Sequence, residues 1–222
     1  MPADRPHDVL LLDFGGVCLL NPVELHAEAE RLLGLEPGAL TWLGPIDPST
    51  DELWQRMIAG DGLTEREYWT QRAADVAELA GVALDRSGYM KLLYEPPRPG
   101  LVRPEAERVV EAAFAAGFGV SVLTNDMRDF HGREWEHGIP FLQRVDHVVD
   151  CSDTKILKPD PRAFARAEEI IGCPAERMLF VDDQPRNVEG ARACGLDGMW
   201  FDIAHAADAW QAVADRLGLT LD

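Results

Sequence analysis

Apolar positions along the chain fall into two textures. Short, mostly apolar runs, such as residues 9–12 (VLLL), 120–123 (VSVL, with one serine) and 178–181 (MLFV), each close on polar residues. They have the length of buried strands and are too short and too sharply punctuated for buried helices. Elsewhere apolar residues recur every three or four positions, the helical period. After the first run, Pro22 opens a helix (PVELHAEAERLLGL) closed by Gly34 and Pro37, and 41–51 (TWLGPIDPSTD) is turn-rich. A second helix over 51–60 carries Leu53, Trp54, Met57 and Ile58 on one face and stops at Gly60. A third begins at Thr64, whose spacing to Glu67 is that of a capping box, and 85–95 (DRSGYMKLLYE) reads as a short fourth. No strand is predicted between Leu20 and Tyr94.

Pro96, Pro97, Pro99 and Pro104 then mark a stiff connector. Beyond it strands and helices alternate: a helix ending at Gly117, the strand ending in Thr124, Asn125 and Asp126, and a helix through Trp135. A short strand (VDHVVD) follows, then a helix with Asp160 as N-cap and Pro161 in its first position. The strand ending in Asp182 and Asp183, a helix (RNVEGARACG), a strand (GMWFD) and a last helix complete the chain. This alternation implies an α/β core with a parallel sheet covered on both faces. The core takes residues 1–18 and 99–222. Residues 19–98 form an all-helical insertion, joined by linkers near 18–22 and 95–103.

A length of 222 residues suits one domain with a modest insertion. The formal net charge of −18 argues against a nucleic-acid or anionic-membrane surface. It also means that a phosphorylated substrate needs local help from a cation or from well-placed Lys and Arg. Cys18, Cys151, Cys173 and Cys194 show no CxxC spacing and read as free thiols. With no signal peptide apparent and no run of membrane-spanning length, the expectation is a soluble cytoplasmic protein, monomeric or homodimeric.

Three strands end in polar groups: Asp13, then Thr124 and Asn125, then Asp182 and Asp183. Parallel strands bring their C-terminal ends to one edge, where ligands bind in open α/β sheets. Carboxylates gathered there repel one another unless they share a cation, and hard oxygen ligands suit Mg²⁺. Two glycines follow Asp13 at once and allow a sharp turn and close approach. Lys158, just before the helix start at Asp160 and Pro161, adds a positive group, with Lys155 as a nearby competitor.

At this point the chain resembles the haloacid dehalogenase (HAD) superfamily, subfamily I, with a helical cap closing over the mouth of a Rossmann-like core. Asp13-Phe14-Gly15-Gly16-Val17 resembles the nucleophile motif and Thr124-Asn125 the second motif. Lys158-Pro159-Asp160-Pro161 resembles the third, and Asp182-Asp183 with Asn187 and Gly190-Ala191 the fourth. The resemblance implies a Mg²⁺-dependent phosphohydrolase acting on a small phosphorylated metabolite, such as a sugar phosphate, through an aspartyl-phosphate on Asp13. It implies a metal held by Asp13, the Gly15 carbonyl and Asp182 or Asp183. Thr124 and Lys158 would bind phosphoryl oxygens, Gly16 and Asn125 would face the substrate, and Asn125 would position rather than react.

One departure matters. Family phosphatases usually carry an Asp two residues after the nucleophile, to protonate the leaving group; here that residue is Gly15. Such help is worth roughly 10²–10⁴ in rate. Relatives with glycine here, resembling bacterial α-D-glucose-1-phosphate phosphatases and the N-terminal phosphatase-like domains of epoxide hydrolases, are still taken as phosphatases. Candidate stand-ins are His26, Asp47 and Asp126. Two rivals follow: a 2-haloacid dehalogenase using the same nucleophile, disfavoured by the acidic pair, and a weakened relative that binds a ligand or partner. Elsewhere, His131 and His137 are six apart on one expected helix and make no zinc pair. Trp42, Trp54, Tyr68 and Trp69 are expected in the core of the insertion. Arg128 and Arg186 follow motif ends and could reach an anion. No serine sits in a GxSxG setting, and GFGVSV is not a dinucleotide loop.

Overall fold

In the computed structural model, which describes residues 5–221, the chain opens with β1 (Val9–Leu12), every residue of which is buried. The helical segment comes next: α1 (His26–Leu33), α2 (Glu52–Ile58), α3 (Glu65–Ala80) and α4 (Arg86–Tyr94). Then follow α5 (Pro104–Ala115), β2 (Gly119–Thr124), α6 (Met127–His131), α7 (Arg133–His137), α8 (Pro140–Arg144) and β3 (His147–Asp150). The chain ends with α9 (Pro161–Ile171), β4 (Met178–Asp182), α10 (Pro185–Ala193), β5 (Asp197–Trp200) and α11 (Ala206–Leu217). The architecture is α/β, and the chain divides into two compact units: one of residues 5–19 and 99–221, the other Leu20–Arg98.

The five strands form one parallel sheet in the order β3-β2-β1-β4-β5. β1 is central, its Leu12 paired with Val122 on one side and Val181 on the other. Strand order reverses between β1 and β4, which opens a crevice at their carboxyl ends. A central strand covered on both faces cannot carry polar side chains, which is why β1 and β4 read as continuous apolar runs. Leu11, Phe180, Phe164 and Ala191 belong to one buried cluster that fastens α9 and α10 to the sheet. Truncating a leucine as buried as Leu10 or Leu11 should cost about 2–5 kcal/mol.

Two local readings change. The helix expected from Asp126 through Trp135 breaks at Gly132, whose φ of 84° and ψ of 165° lie outside the helical region. His131 and His137 therefore sit on different helices. The segment after His137 adds α8, a helix that its apolar spacing did not suggest. In the second unit the chain enters α1 through a 3₁₀ turn, Pro22–Leu25, with Asn21 and Glu24 forming a capping box. Its core is aromatic with a buried ionic centre. Trp42, Trp54, Tyr68 and Trp69 are buried and meet edge to face. The Asp51 carboxylate caps α2 by accepting from the Trp54 amide at 2.8 Å, accepts from the Tyr68 hydroxyl at 2.7 Å, and pairs with Arg72. Removing either partner of that pair would strand a buried charge, at about 3–5 kcal/mol. Among the described residues, no helix is long and apolar enough to cross a membrane.

Candidate active site

Asp13 stands one residue beyond β1, where its amide still donates to the Val181 carbonyl of β4 (2.8 Å). The chain must leave the sheet here, and the next residues show how. Gly16 has a φ of +78°, and a Cβ on it would lie 2.8 Å from Ile203 Cδ1 and 3.2 Å from Asp183 Oδ2. Only glycine fits both demands. The turn closes through the Cys18 and Leu19 amides, which both donate to the Phe14 carbonyl. Arg103, buried ahead of α5, donates through Nε and Nη2 to the Gly16 carbonyl (3.2 and 2.9 Å) and through Nε to that of Val17 (3.1 Å). Its own amide donates to the Cys18 carbonyl (2.8 Å). A rigid cationic fork thus fixes the loop that follows the nucleophile candidate.

Lys158 lies at the centre of the site, 3% exposed. Its Nζ donates at 2.7 Å to each of three oxygens: Asp13 Oδ1, Asp182 Oδ2 and the Leu123 carbonyl. Burial works against the ammonium, but the two carboxylates outweigh it and hold the Lys158 pKa above the ordinary lysine range. An ammonium has three donors, and all three are taken here by protein oxygens, so Lys158 holds Asp13 and Asp182 in place. The loop carrying it is clamped by Asn125: the Lys158 amide donates to Oδ1 (2.7 Å) and Nδ2 donates to the Lys158 carbonyl (3.3 Å). Asn125 thereby fixes the backbone of Lys158. Behind the loop, a Cβ on Gly190 would stand 2.6 Å from Pro159 Cβ, so α10 packs directly on the residue after Lys158.

The paired acids at the end of β4 differ in kind. Asp182 is fully buried, and N–H donors surround both of its oxygens. The Gln184 amide (2.8 Å) and Asn187 Nδ2 (3.0 Å) reach Oδ1; Lys158 Nζ (2.7 Å) and Asn187 Nδ2 (3.1 Å) reach Oδ2. Asp183, past the strand end, is half-buried, and its Oδ2 lies over Gly16. Each of Asp13, Asp182 and Asp183 offers an oxygen within 4.8 Å of the others. Three carboxylates thus gather around a site with one ammonium, which pairs with two of them, an excess of two negative charges that a divalent cation would match. The donors are all hard oxygens, as Mg²⁺ prefers. With Asp182 saturated, Asp13, the Gly15 carbonyl and Asp183 are the residues that fit such an ion. Gly15 is exposed, has an ordinary φ, and a Cβ there would meet nothing within 4 Å. Thr124, buried at the end of β2, pairs with Asp150 on the same sheet edge.

Lys155 is exposed in the left-handed region (φ 60°) and pairs with Asp129, which separates it from the role of Lys158. Arg128 is held by Glu136 and Asp153, and Arg186 is exposed. His26 belongs to the helical unit, packs on the Trp42 ring at 4.2 Å, and is pulled down to about 4 by burial. Asp47 caps its own turn through the Ser49 amide, and Asp126 sits at the N-cap of α6. Sequence reasoning missed Arg103 and Trp200. A lone arginine before a proline carries no signal, and the indole of Trp200 reaches the Asp183 carbonyl only because β5 lies beside β4.

A family model described as haloacid dehalogenase-like hydrolase matches residues 7–195. The chain is 31% identical to a phosphoserine phosphatase of Thermus thermophilus, over 80% of this chain and 74% of that one. It is 27% identical to haloacetate dehalogenase H-2 of a Moraxella species, over 76% and 72%. Bacillus subtilis YfnB, solved bound to magnesium, shares the fold with a TM-score of 0.63 at 20% identity, over 89% of this chain and 87% of that one.

Proposed function

This chain belongs to the haloacid dehalogenase-like hydrolases, and we propose that it is a Mg²⁺-dependent phosphohydrolase acting on a small phosphorylated metabolite, such as a sugar phosphate. The observation that carries this reading is the convergence of the Asp13, Asp182 and Asp183 carboxylates, of which the first two share a single lysine, with negative charge left over. A dehalogenase has no need of that surplus. Asp13, the Gly15 carbonyl and Asp183 would hold the ion, which supplies charge neutralisation for an incoming phosphate.

The chain's own residues then do the following. Lys158 holds Asp13 Oδ1, so attack on phosphorus falls to the other carboxylate oxygen. A bond forms between that oxygen and phosphorus as the bond to the leaving oxygen breaks, giving an aspartyl-phosphate that water hydrolyses. Asp182 keeps Lys158 charged and in place, and Asn125 fixes the loop beneath it. The Thr124 hydroxyl is the group assigned to a phosphoryl oxygen. Gly15 offers no proton to the leaving group, so esters of acidic alcohols and sugar 1-phosphates should be turned over faster than alkyl phosphates. We assign substrate choice to the helical unit Leu20–Arg98.

Release of p-nitrophenol from its phosphate ester, with and without Mg²⁺, tests the reading. Metal-dependent turnover that is lost in Asp13→Asn supports it. Gly15 also favours a second reading, because a halide leaves without a proton: chloride release from 2-chloropropionate without metal would establish a dehalogenase. Retained Mg²⁺-dependent ligand binding with no turnover of any substrate would identify a binding protein.

A further inference from the structure

Trp200 is 50% exposed, whereas Trp42, Trp54, Trp69, Trp135 and Trp210 are each exposed by 6% or less. It ends β5, the edge strand, opposite Asp182 in the parallel ladder. A ring this large left half in water forgoes part of the stabilisation that burial would bring. Its polar end is engaged instead: Nε1–H donates to the backbone carbonyl of Asp183 at 2.9 Å. One residue on, the Phe201 amide donates to the Asp182 carbonyl at 3.0 Å. β5 therefore pins the backbone of both acids in succession, the first through its main chain and the second through an indole.

The second pin matters more. Asp182 is already fixed by Lys158, Gln184 and Asn187. Asp183 lies beyond the last ladder residue of β4, where the chain turns into α10. Holding its carbonyl limits rotation of the peptide that follows it, and so sets the direction of its Cα–Cβ bond. That direction brings Asp183 Oδ2 over Gly16 and within reach of Asp13.

We propose that Trp200 is a positioning residue for Asp183 in binding a divalent cation, and that its exposed indole reports whether the cation is bound. The proposal rests on the metal-site reading given above. Partners that orient a metal ligand typically change affinity 10–100-fold when removed. Here the contact is to the ligand's backbone, so a loss of about tenfold is expected.

The experiment is Mg²⁺ titration of the full chain, followed by calorimetry and by acrylamide-quenched tryptophan fluorescence. Quencher-accessible emission belongs to Trp200, since the other tryptophans are buried. In the unsubstituted protein Mg²⁺ should bind and change that emission. Trp200→Phe, which keeps a ring but no donor, should bind Mg²⁺ about tenfold more weakly while its metal-free urea midpoint stays unchanged. Trp200→Leu, which also lacks a donor, serves the same purpose should the phenylalanine variant fold poorly. Affinity equal to that of the unsubstituted protein in whichever variant folds overturns the positioning role, and saturable Mg²⁺ binding that leaves the accessible emission unchanged overturns the reporting role. An unsubstituted protein that binds no Mg²⁺ by calorimetry overturns the metal-site reading instead.

Discussion

Gly15→Asp is the perturbation with the clearest expected gain. At this exposed position a Cβ meets nothing within 4 Å and φ is ordinary, so an aspartate needs no rearrangement. The group it would contribute to a metal is a backbone carbonyl, which the substitution keeps. Stability should therefore change by less than about 1 kcal/mol. The new carboxyl would stand two residues from Asp13, whose negative charge favours the protonated form that a general acid needs. Full general-acid assistance is worth roughly 10²–10⁴, or about 3–5 kcal/mol. An engineered carboxyl with no evolved support should realise at least tenfold of it. The gain must depend on the leaving group: large for an alkyl phosphate and small for p-nitrophenyl phosphate, which departs as a stable anion. The assay is kcat/KM for phosphate esters of increasingly basic alcohols. A steep fall with leaving-group basicity in the unsubstituted protein, flattened in the variant, is the expected result. An unchanged slope in a variant that folds and binds metal normally would refute the reasoning and mean that another group already delivers the proton.

The two acids of the β4 end should separate cleanly. Asp182→Asn turns an amide NH2 donor toward the Lys158, Gln184 and Asn187 donors and should cost about 3–5 kcal/mol in urea unfolding. Asp183→Asn, half-buried, should leave the urea midpoint within about 1 kcal/mol and weaken Mg²⁺ binding at least tenfold in calorimetry. Gly190→Ala would push a methyl to 2.6 Å from Pro159 Cβ; unfolding should register about 1–3 kcal/mol, and kcat should fall as the Lys158 loop moves. His26 is held neutral by burial, its pKa lowered to about 4. The unfolded chain therefore binds the extra proton first, and stability is lost as pH falls below about 6.5. The loss should be about 2 kcal/mol between pH 8 and pH 5, and urea midpoints should show that slope flattened in His26→Phe.

Most of the fold is legible because its strands are buried on both faces. VLLL, VSVL and MLFV cannot be anything amphipathic, and their order around helical stretches dictates a parallel sheet. Legibility falls where burial is one-sided or a single dihedral decides. β5, at the edge, starts at the polar Asp197 and ends on a half-exposed tryptophan, so its apolar run (GMWFD) is displaced from the observed strand. The break between α6 and α7 rests on the φ of Gly132, while the apolar spacing continues across it.

At the site, convergence was legible and the division of labour was not. Parallel strands end on one edge, so acids at strand ends must meet. What each acid does there depends on a partner far away in sequence. Two identical residues in succession point to opposite sides of a strand's continuation. Asp182, still in the ladder, points into the core toward Lys158, while Asp183 has already left it. Lys158 is the cation that the buried Asp13 and Asp182 share. It offsets one of the three negative charges, and the two that remain are what a divalent ion would match, held between Asp13 and the half-buried Asp183.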